Sequence, residues 1–268
     1  MARTERTLRK LRKPRQESFD REMELTEHLA ELRTRIIRVL VYIALGMVVT
    51  WIYYQPILDA LEAPILRVKT DSPWRWIFTN MWEPFMLRLQ ISLAASVVLT
   101  FPLLFKEAWG FVAPALTRSE RKIVYLLGPL CVLLFLSGVA SAFLVLPRGI
   151  AWFLTFLPEG TELMQRLNDY VIFLAKSCLA FGAVFQLPVV MLFLGRFGLV
   201  NSRFLTKYWR QAIVLSAAAA AIITPSADAF TMVAMMVPLT VLYGLSIFLV
   251  KLVERKGDAT DDPAGAEE

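Results

Sequence analysis

The sequence predicts an all-α integral membrane protein with six transmembrane helices in a concave, cup-shaped bundle whose last two helices are short. Of its 268 residues, 57% are apolar and only 19% are charged, and the mean hydropathy is +0.54. Soluble domains average about 45–50% apolar and about 25% charged residues. The apolar residues are gathered in long stretches, and most charges lie between these stretches or at the chain ends. This pattern excludes a soluble enzyme, a disordered chain and a fibrous repeat.

Six apolar stretches approach the length of a membrane-spanning helix, which is about 20 residues for about 30 Å of hydrocarbon. The first stretch follows a long basic tail and lacks the small-residue cleavage site of a signal peptide, so it is interpreted as a structural helix. The fifth is too short to cross a bilayer of ordinary thickness, at about 22 Å of helical rise, and predicts local thinning. The predicted spans are residues 35–54, 85–106, 122–146, 169–194, 209–223 and 229–250.

The basic residues predict which way the chain crosses the membrane. Lys and Arg number 22 on the side of the two termini and five on the opposite side, and this bias places both termini in the cytoplasm. The predicted organisation is a basic cytoplasmic tail (1–24), a six-span membrane domain (25–253) and a disordered acidic cytoplasmic tail (254–268). We therefore expect a multi-pass protein of the cytoplasmic membrane.

The net charge of +6 therefore needs no nucleic-acid partner. The first explanation for this positive charge is that the basic residues set the orientation of the chain in the membrane. Contact between the basic tail and anionic lipid head groups is the alternative, because clustered Lys and Arg near a membrane attract such lipids.

Prolines and aromatic residues mark the bends and the interfaces of the bundle. Pro102, Pro188 and Pro238 each lie within an apolar run, where proline removes a backbone donor and kinks a helix. Kinked helices form concave walls more readily than straight ones. Residues 57–66 have near-helical apolar spacing interrupted by Pro64, and an aromatic cluster follows at 74–85, which together predict an interfacial helix on the outer side.

Residues that could support enzyme chemistry are scarce. Cys131 and Cys178 each lie inside an apolar run, and the only histidine, His28, lies at the charged edge of the first span. The sequence contains no HExxH motif, phosphate-binding loop or dinucleotide fingerprint. We therefore expect no catalytic residues, no cofactor and no metal site.

Two polar residues of the fourth predicted span, Lys176 and Gln186, are candidates for a functional role. Lys176 is about 10 Å from the outer edge, so its amine can reach the surface by snorkelling, although an ionisable group in a membrane is also a functional candidate. Gln186 lies deeper, just before Pro188, where its amide can satisfy backbone groups that the proline leaves free.

Two glutamates predicted to lie at the cytoplasmic surface can be explained by roles in helix stability. Glu31 lies off the apolar stripe of its helix and can pair with Arg35 at i,i+4, which is worth only tenths of a kcal/mol. Glu120 follows Thr117 in a capping box at the start of the third span. From the residues alone, both roles are structural.

Five short motifs, taken in order, resemble those of TatC, the multispanning receptor subunit of the twin-arginine protein translocase. They are HLAELR (28–33), EPF (83–85), FVAPAL followed by SERK (111–116 and 119–122), FQLP (185–188) and TPSAD (224–228). The resemblance extends from about residue 25 to 253 and includes the six spans and the cytoplasmic termini. Each motif is weak alone, but five in this order on this topology are specific.

The resemblance implies a receptor that binds twin-arginine signal peptides of folded precursors on the cytoplasmic side. It also implies export driven by the proton-motive force, together with single-span TatA/TatB-type subunits, and a homo-oligomer within the receptor complex. The family's peptide-binding glutamates match Glu31 and Glu120. The remaining residues assigned by position to the peptide site are Arg33, Arg121, Phe111, Pro114 and Leu116. The candidates for intramembrane polar contacts or partner docking are Gln186, Lys176, Asp228 and Pro64.

The sequence departs from the family pattern inside the membrane. Gln186 replaces a glutamate that usually faces the concave side, Gly244 replaces an acidic residue of the last span, and Lys176 is an added cation. An amide keeps hydrogen bonding but cannot titrate. These departures bear on partner docking more than on peptide recognition.

The alternative function is a small-solute secondary transporter. Such a protein is expected to contain an inverted repeat with paired broken helices. Residues 35–146 and 169–250 show no such symmetry, because the two short final spans have no counterparts in the first half.

Overall fold

The structure is a bundle of helices with a small two-stranded sheet at one end. It is a computed structural model that describes residues 2–66, 68, 75–112, 118–158, 164–196, 198–223 and 229–258. These residues form nine helices and two strands. In chain order they are α1 (Ala2–Ile52), α2 (Tyr54–Leu66), β1 (Arg75–Ile77), α3 (Glu83–Val112), α4 (Arg118–Leu154), β2 (Met164–Arg166), α5 (Leu167–Val184), α6 (Leu187–Arg196), α7 (Ser202–Lys207), α8 (Trp209–Ile223) and α9 (Ala229–Asp258).

Helices α1 and α3 run antiparallel and pack closely because small residues line their contact. A Cβ built on Gly46 would lie 2.7 Å from Cγ2 of Thr100, so only glycine leaves room for that side chain. Nearby, the Thr50 hydroxyl donates a hydrogen bond of 2.7 Å to the carbonyl of Ser92. Small residues and interhelical hydrogen bonds of this kind hold helices together where lipid provides no hydrophobic driving force.

Helices α4 and α5 approach even more closely at a pair of glycines. A Cβ on Gly138 would lie 2.6 Å from the carbonyl oxygen of Phe181 and 2.9 Å from Cα of Gly182. A Cβ on Gly182 would in turn meet the ring of Phe135 at 2.6 Å. That ring stacks on Phe101 of α3 with centroids 3.6 Å apart, which links the second, third and fourth spans.

The sheet joins two loops that are far apart in sequence. Strands β1 and β2 pair in parallel, three residues each. Buried Glu83, the first residue of α3, accepts hydrogen bonds from the backbone N–H of Thr79 and from Asn80 Nδ2, both at 2.9 Å, and pairs with Arg166 of β2. We call this end of the bundle, with β1, β2 and Glu83, the strand end. The opposite end, where residues 27–35 of α1 meet the last turns of α3, is called the Glu31 end.

The lengths of the helices agree with the predicted spans. Four helical segments of the described residues are long and apolar enough to cross a membrane: Glu27–Ile52, Glu83–Phe111, Gly128–Leu154 and Leu167–Arg196. The shorter final pair is α8, whose bounds match the predicted fifth span, and the apolar part of α9, Met236–Leu252. The all-α membrane fold is confirmed, and the count of six spans stays a prediction because the last two helices are short.

Two predicted breaks take a different form in the structure. The helix predicted near residues 57–66 is present as α2, but Pro64 lies inside it and does not interrupt it, and its interfacial location stays a prediction. The fourth span, by contrast, is interrupted at Phe185–Gln186, so that α5 ends before Pro188 and α6 begins at Leu187. Pro102 and Pro238 lie inside α3 and α9.

The chain ends extend the helical structure beyond the predicted spans. The backbone of α1 is helical from residue 2, and that of α9 continues to Asp258. Residues 259–268, which belong to the predicted acidic tail, lie outside the described residues. Cys131 and Cys178 are both buried and unpaired, as expected for cysteines in apolar runs.

The glycine contact between α4 and α5 can be tested by adding a side chain. Gly138→Val forces a Cβ into the α5 backbone, so we expect a loss of about 1–3 kcal/mol in the free energy of unfolding. Gly244→Val is the matched control, because a Cβ there meets nothing within 4 Å and the helical setting is the same. Thermal unfolding of both variants in lipid nanodiscs measures the difference, and equal destabilisation would contradict the packing argument.

The carboxylate of Glu83 is expected to hold the strand end together. Glu83→Ala leaves the Thr79 N–H without its acceptor and the Arg166 guanidinium with only the exposed Asp169, so the melting temperature should fall by several degrees. Asp169→Ala is the control, since Asp169 is an exposed partner of the same arginine, 3.5 Å away. Thermal unfolding should separate the two variants, and a larger loss with Asp169→Ala would argue against the assignment.

Candidate functional site

The Glu31 end of the bundle carries a cluster of charged side chains at the contact between α1 and α3. Arg35 donates hydrogen bonds to Glu31 Oε1 from Nη2 at 2.6 Å and from Nε at 3.0 Å. This is the i,i+4 pair that the spacing predicts. The Glu31 side chain is 34% exposed, so its carboxylate remains within reach of a ligand.

A second carboxylate, Glu107 of α3, completes the cluster. Arg35 Nη1 donates to Glu107 Oε2 at 3.2 Å and to the Glu107 backbone carbonyl at 3.3 Å. The Tyr42 hydroxyl donates to Oε1 at 3.3 Å, and Arg38 Nη1 lies 3.7 Å from Oε2. Only 7% of the Glu107 side chain is exposed, so this carboxylate is buried among three donors.

The guanidinium of Arg35 lies directly against the backbone of α3. A Cβ on Gly110 would meet Arg35 Cζ at 2.8 Å and Nη2 at 3.0 Å. A glycine at this position is therefore what allows the arginine to reach both carboxylates. The sequence pattern gave no reason to connect Gly110 or Glu107 with Glu31, because they lie more than 70 residues further along the chain.

An aromatic contact flanks the charged cluster. The rings of His28 and Phe111 stack with centroids 4.3 Å apart and an interplanar angle of 22°. Phe111 is half-buried and follows Glu107 by one helical turn. The structure thus brings two of the predicted peptide-site residues, Glu31 and Phe111, to one end of the α1–α3 pair.

Of the other predicted peptide-site residues, Arg33 is the one whose side chain the structure describes. Arg33 is exposed on α1. Glu120 and Arg121 belong to the first turn of α4, but their side chains lie outside the described part of the structure. Pro114 and Leu116 fall in residues 113–117, which also lie outside it.

The polar residues inside the membrane region are placed separately from this cluster. The Gln186 amide donates a hydrogen bond of 3.0 Å to the carbonyl of Cys131 on α4, and so bridges two helices at the break between α5 and α6. Lys176 is exposed on α5, and Pro64 is half-buried in α2. Asp228 lies outside the described residues. The sequence predicts that this amide bonds to backbone groups that Pro188 leaves free. In the structure it donates instead to a carbonyl of the neighbouring helix α4.

An apolar groove occupies the strand-end half of the bundle. Its cavity of about 510 Å³ is enclosed by α1, α2, α3, α4 and α5. The lining side chains are almost all apolar and include Val49, Ile57, Ile91, Val98, Phe143 and Leu179. Among the described residues, no three His, Cys, Asp or Glu side chains are grouped so that they could hold a metal ion.

Comparison with known proteins identifies the family. The model of the family described as Sec-independent protein translocase protein (TatC) matches residues 27–238. The chain belongs to the TatC family. TatC proteins are translocase components, which confirms the prediction that the chain is not an enzyme.

Individual relatives cover nearly the whole chain. The TatC protein of Desulforapulum autotrophicum is 36% identical over 89% of this chain and 88% of its own length. The TatC protein of Xylanimonas cellulosilytica is 35% identical over 91% of this chain and 89% of its own length.

Two solved structures share the fold. A crystal structure of the twin-arginine translocase receptor TatC superposes with a TM-score of 0.72 at 31% identity, covering 85% of this chain and 99% of that one. A second, in DDM, has a TM-score of 0.73 at 28% identity and covers 83% and 98%. The TatC-family membership expected from the five motifs is confirmed.

Proposed function

We propose that this chain is the core receptor of a twin-arginine translocase and that Glu31 and Glu120 bind the paired arginines of signal peptides on folded precursors. The observation that supports the proposal is the hydrogen bonding of the Glu31 carboxylate. Both hydrogen bonds from Arg35 end on Oε1, and within the described residues no hydrogen bond reaches Oε2. One oxygen of a partly exposed carboxylate is therefore available to a ligand.

An arginine side chain is the ligand that suits this oxygen best. A guanidinium is planar, always charged and able to donate several hydrogen bonds at once, and its bonds to a carboxylate are short and strong. Partial burial strengthens them further. A peptide that lacks the arginines would gain little from an acidic group that is already paired with Arg35, so the same arrangement selects its ligand.

The partners follow from the same reading. Single-span TatA/TatB-type subunits dock against the kinked and short helices. The apolar groove between α1 and α5 offers a separate surface for a partner helix. Further copies of the chain assemble within the receptor complex. The basic N-terminal tail contacts membrane lipids. Export uses the proton-motive force. No observation on this chain favours a small-solute transporter.

The chain lies in the cytoplasmic membrane with both termini in the cytoplasm. The imbalance of 22 basic residues against five supports this orientation. It places the Glu31 end on the cytoplasmic side, where precursors arrive, and the strand end on the outer side.

Neutral replacements of the two glutamates test the peptide site. Glu31→Gln and Glu120→Gln remove the charge and keep the shape, so each should lower the affinity for a twin-arginine signal peptide by about ten- to a hundredfold and abolish export of a folded cargo. Cell-fractionation assays of a folded twin-arginine cargo measure the effect.

Two controls belong to this experiment. Glu254→Gln removes a carboxylate on α9 that accepts hydrogen bonds from Ser202 and lies outside the cluster, and it should export normally. A cargo of the unfolded-chain secretion route should pass unaffected in every variant. If folded export survived both Glu31→Gln and Glu120→Gln, the assignment of the peptide site would be wrong.

Thiol labelling tests the orientation. Met81→Cys at the strand end and Thr34→Cys at the Glu31 end each add one exposed thiol, while buried Cys131 and Cys178 contribute little background. In intact cells, or in spheroplasts where an outer membrane is present, a membrane-impermeant maleimide should label the cysteine at position 81. It should label the one at position 34 only after the membrane is disrupted. The reverse pattern would invert the proposed topology.

A further inference from the structure

We propose that Glu107 is a positioning residue for the signal-peptide site, because it holds the guanidinium of Arg35 so that one oxygen of Glu31 stays open to the peptide. The inference rests on the proposed function, since it explains how the receptor's own arginine is kept from occupying the carboxylate meant for its ligand. The residues that carry it are Glu31, Arg35, Glu107 and Gly110.

Arg35 is divided between two acceptors. Its Nε and Nη2 donate to a single oxygen of Glu31, at 3.0 and 2.6 Å, and its Nη1 donates to the side chain and the backbone of Glu107. An arginine left alone beside a carboxylate tends to form two parallel bonds that occupy both oxygens. Here Glu107 draws Nη1 toward α3, and the bonds to Glu31 converge on Oε1.

The backbone of α3 fixes this geometry. Gly110 leaves a space that the guanidinium fills, with Cζ and Nη2 at 2.8 and 3.0 Å from where a Cβ would stand. The buried Glu107 carboxylate is itself oriented by the Tyr42 hydroxyl. Arg35 is thus held from the α3 side and cannot turn fully toward Glu31 without giving up its bonds to Glu107.

Charge compensation acts in the same direction. The cluster contains two carboxylates, Glu31 and Glu107, and two guanidinium groups, Arg35 and Arg38. Replacing Glu107 by a neutral side chain leaves an excess positive charge beside the site. A peptide that carries two arginines would then meet repulsion as well as competition from Arg35.

The test compares peptide binding by four variants of the full-length chain in lipid nanodiscs. The probe is a synthetic signal peptide with paired arginines, and a peptide with paired lysines gives the non-specific background. Glu107→Gln should weaken binding about tenfold, the size of one lost charge-assisted contact. Glu107→Asp keeps the charge and should stay within about threefold of the native chain.

The double variant Arg35→Gln with Glu107→Gln is the decisive one. This variant removes the competing Arg35 guanidinium together with the Glu107 carboxylate that positions it, so both oxygens of Glu31 are open to the peptide. Peptide binding should therefore return to within about threefold of the native chain. A merely structural role for Glu107 predicts no such rescue, because the double variant has lost even more of the α1–α3 contact. Thermal unfolding is followed in parallel to separate affinity from folding.

The outcomes distinguish the two proposals. If Glu31→Gln abolishes binding while Glu107→Gln binds like the native chain, the positioning role is overturned and the peptide site stands. If Glu107→Gln and the double variant are equally weak, or if Glu107→Asp is as weak as Glu107→Gln, the positioning role is likewise overturned. If Glu31→Gln itself binds normally, the peptide site is wrong and the positioning role falls with it.

Discussion

The contact of Arg35 with two glutamates on different helices is the interaction on which the Glu31 end of this protein depends. It ties α1 to α3 through the buried carboxylate of Glu107, whose burial would be costly without the Arg35, Arg38 and Tyr42 side chains around it. The same contact places both hydrogen bonds from Arg35 on a single oxygen of Glu31, Oε1. Under the proposed function, the same side chains therefore form a structural ion pair and a recognition site.

Close backbone approach provides the frame that holds this cluster in place. Gly46 lets α1 pack closely on α3, and Gly138 and Gly182 let α4 pack closely on α5. The hydrogen bond from Thr50 to Ser92 helps to fix the register of α1 and α3. The strand end is held separately by Glu83 and the short sheet. The apolar groove lies in the strand-end half of the bundle, among the first five helices.

The parts of this fold that sequence could predict are those encoded by neighbours along the chain. Hydropathy predicted the apolar helices, including the bounds of the short α8. The i,i+4 spacing predicted the Glu31–Arg35 pair. The sequence did not predict contacts between segments that are far apart along the chain. These are the parallel pairing of β1 with β2, the hydrogen bond from Gln186 to Cys131, and the contact of Glu107 with Arg35. Glu107 did leave a signal, since a carboxylate near the end of an apolar run, one turn before Phe111, needs a cation. Pattern alone did not indicate which of many arginines supplies it.

The central claim is that the paired arginines of a signal peptide bind at Glu31, beside the end of α3. A photocrosslinking peptide, with the reactive group placed next to its arginine pair, tests this on the unmodified receptor in native membranes. Mass spectrometry of the products should locate crosslinks in residues 27–34 of α1 and 107–112 of α3, and a paired-lysine peptide should give few. Crosslinks confined to the strand end, or equally strong with the lysine peptide, would contradict the account.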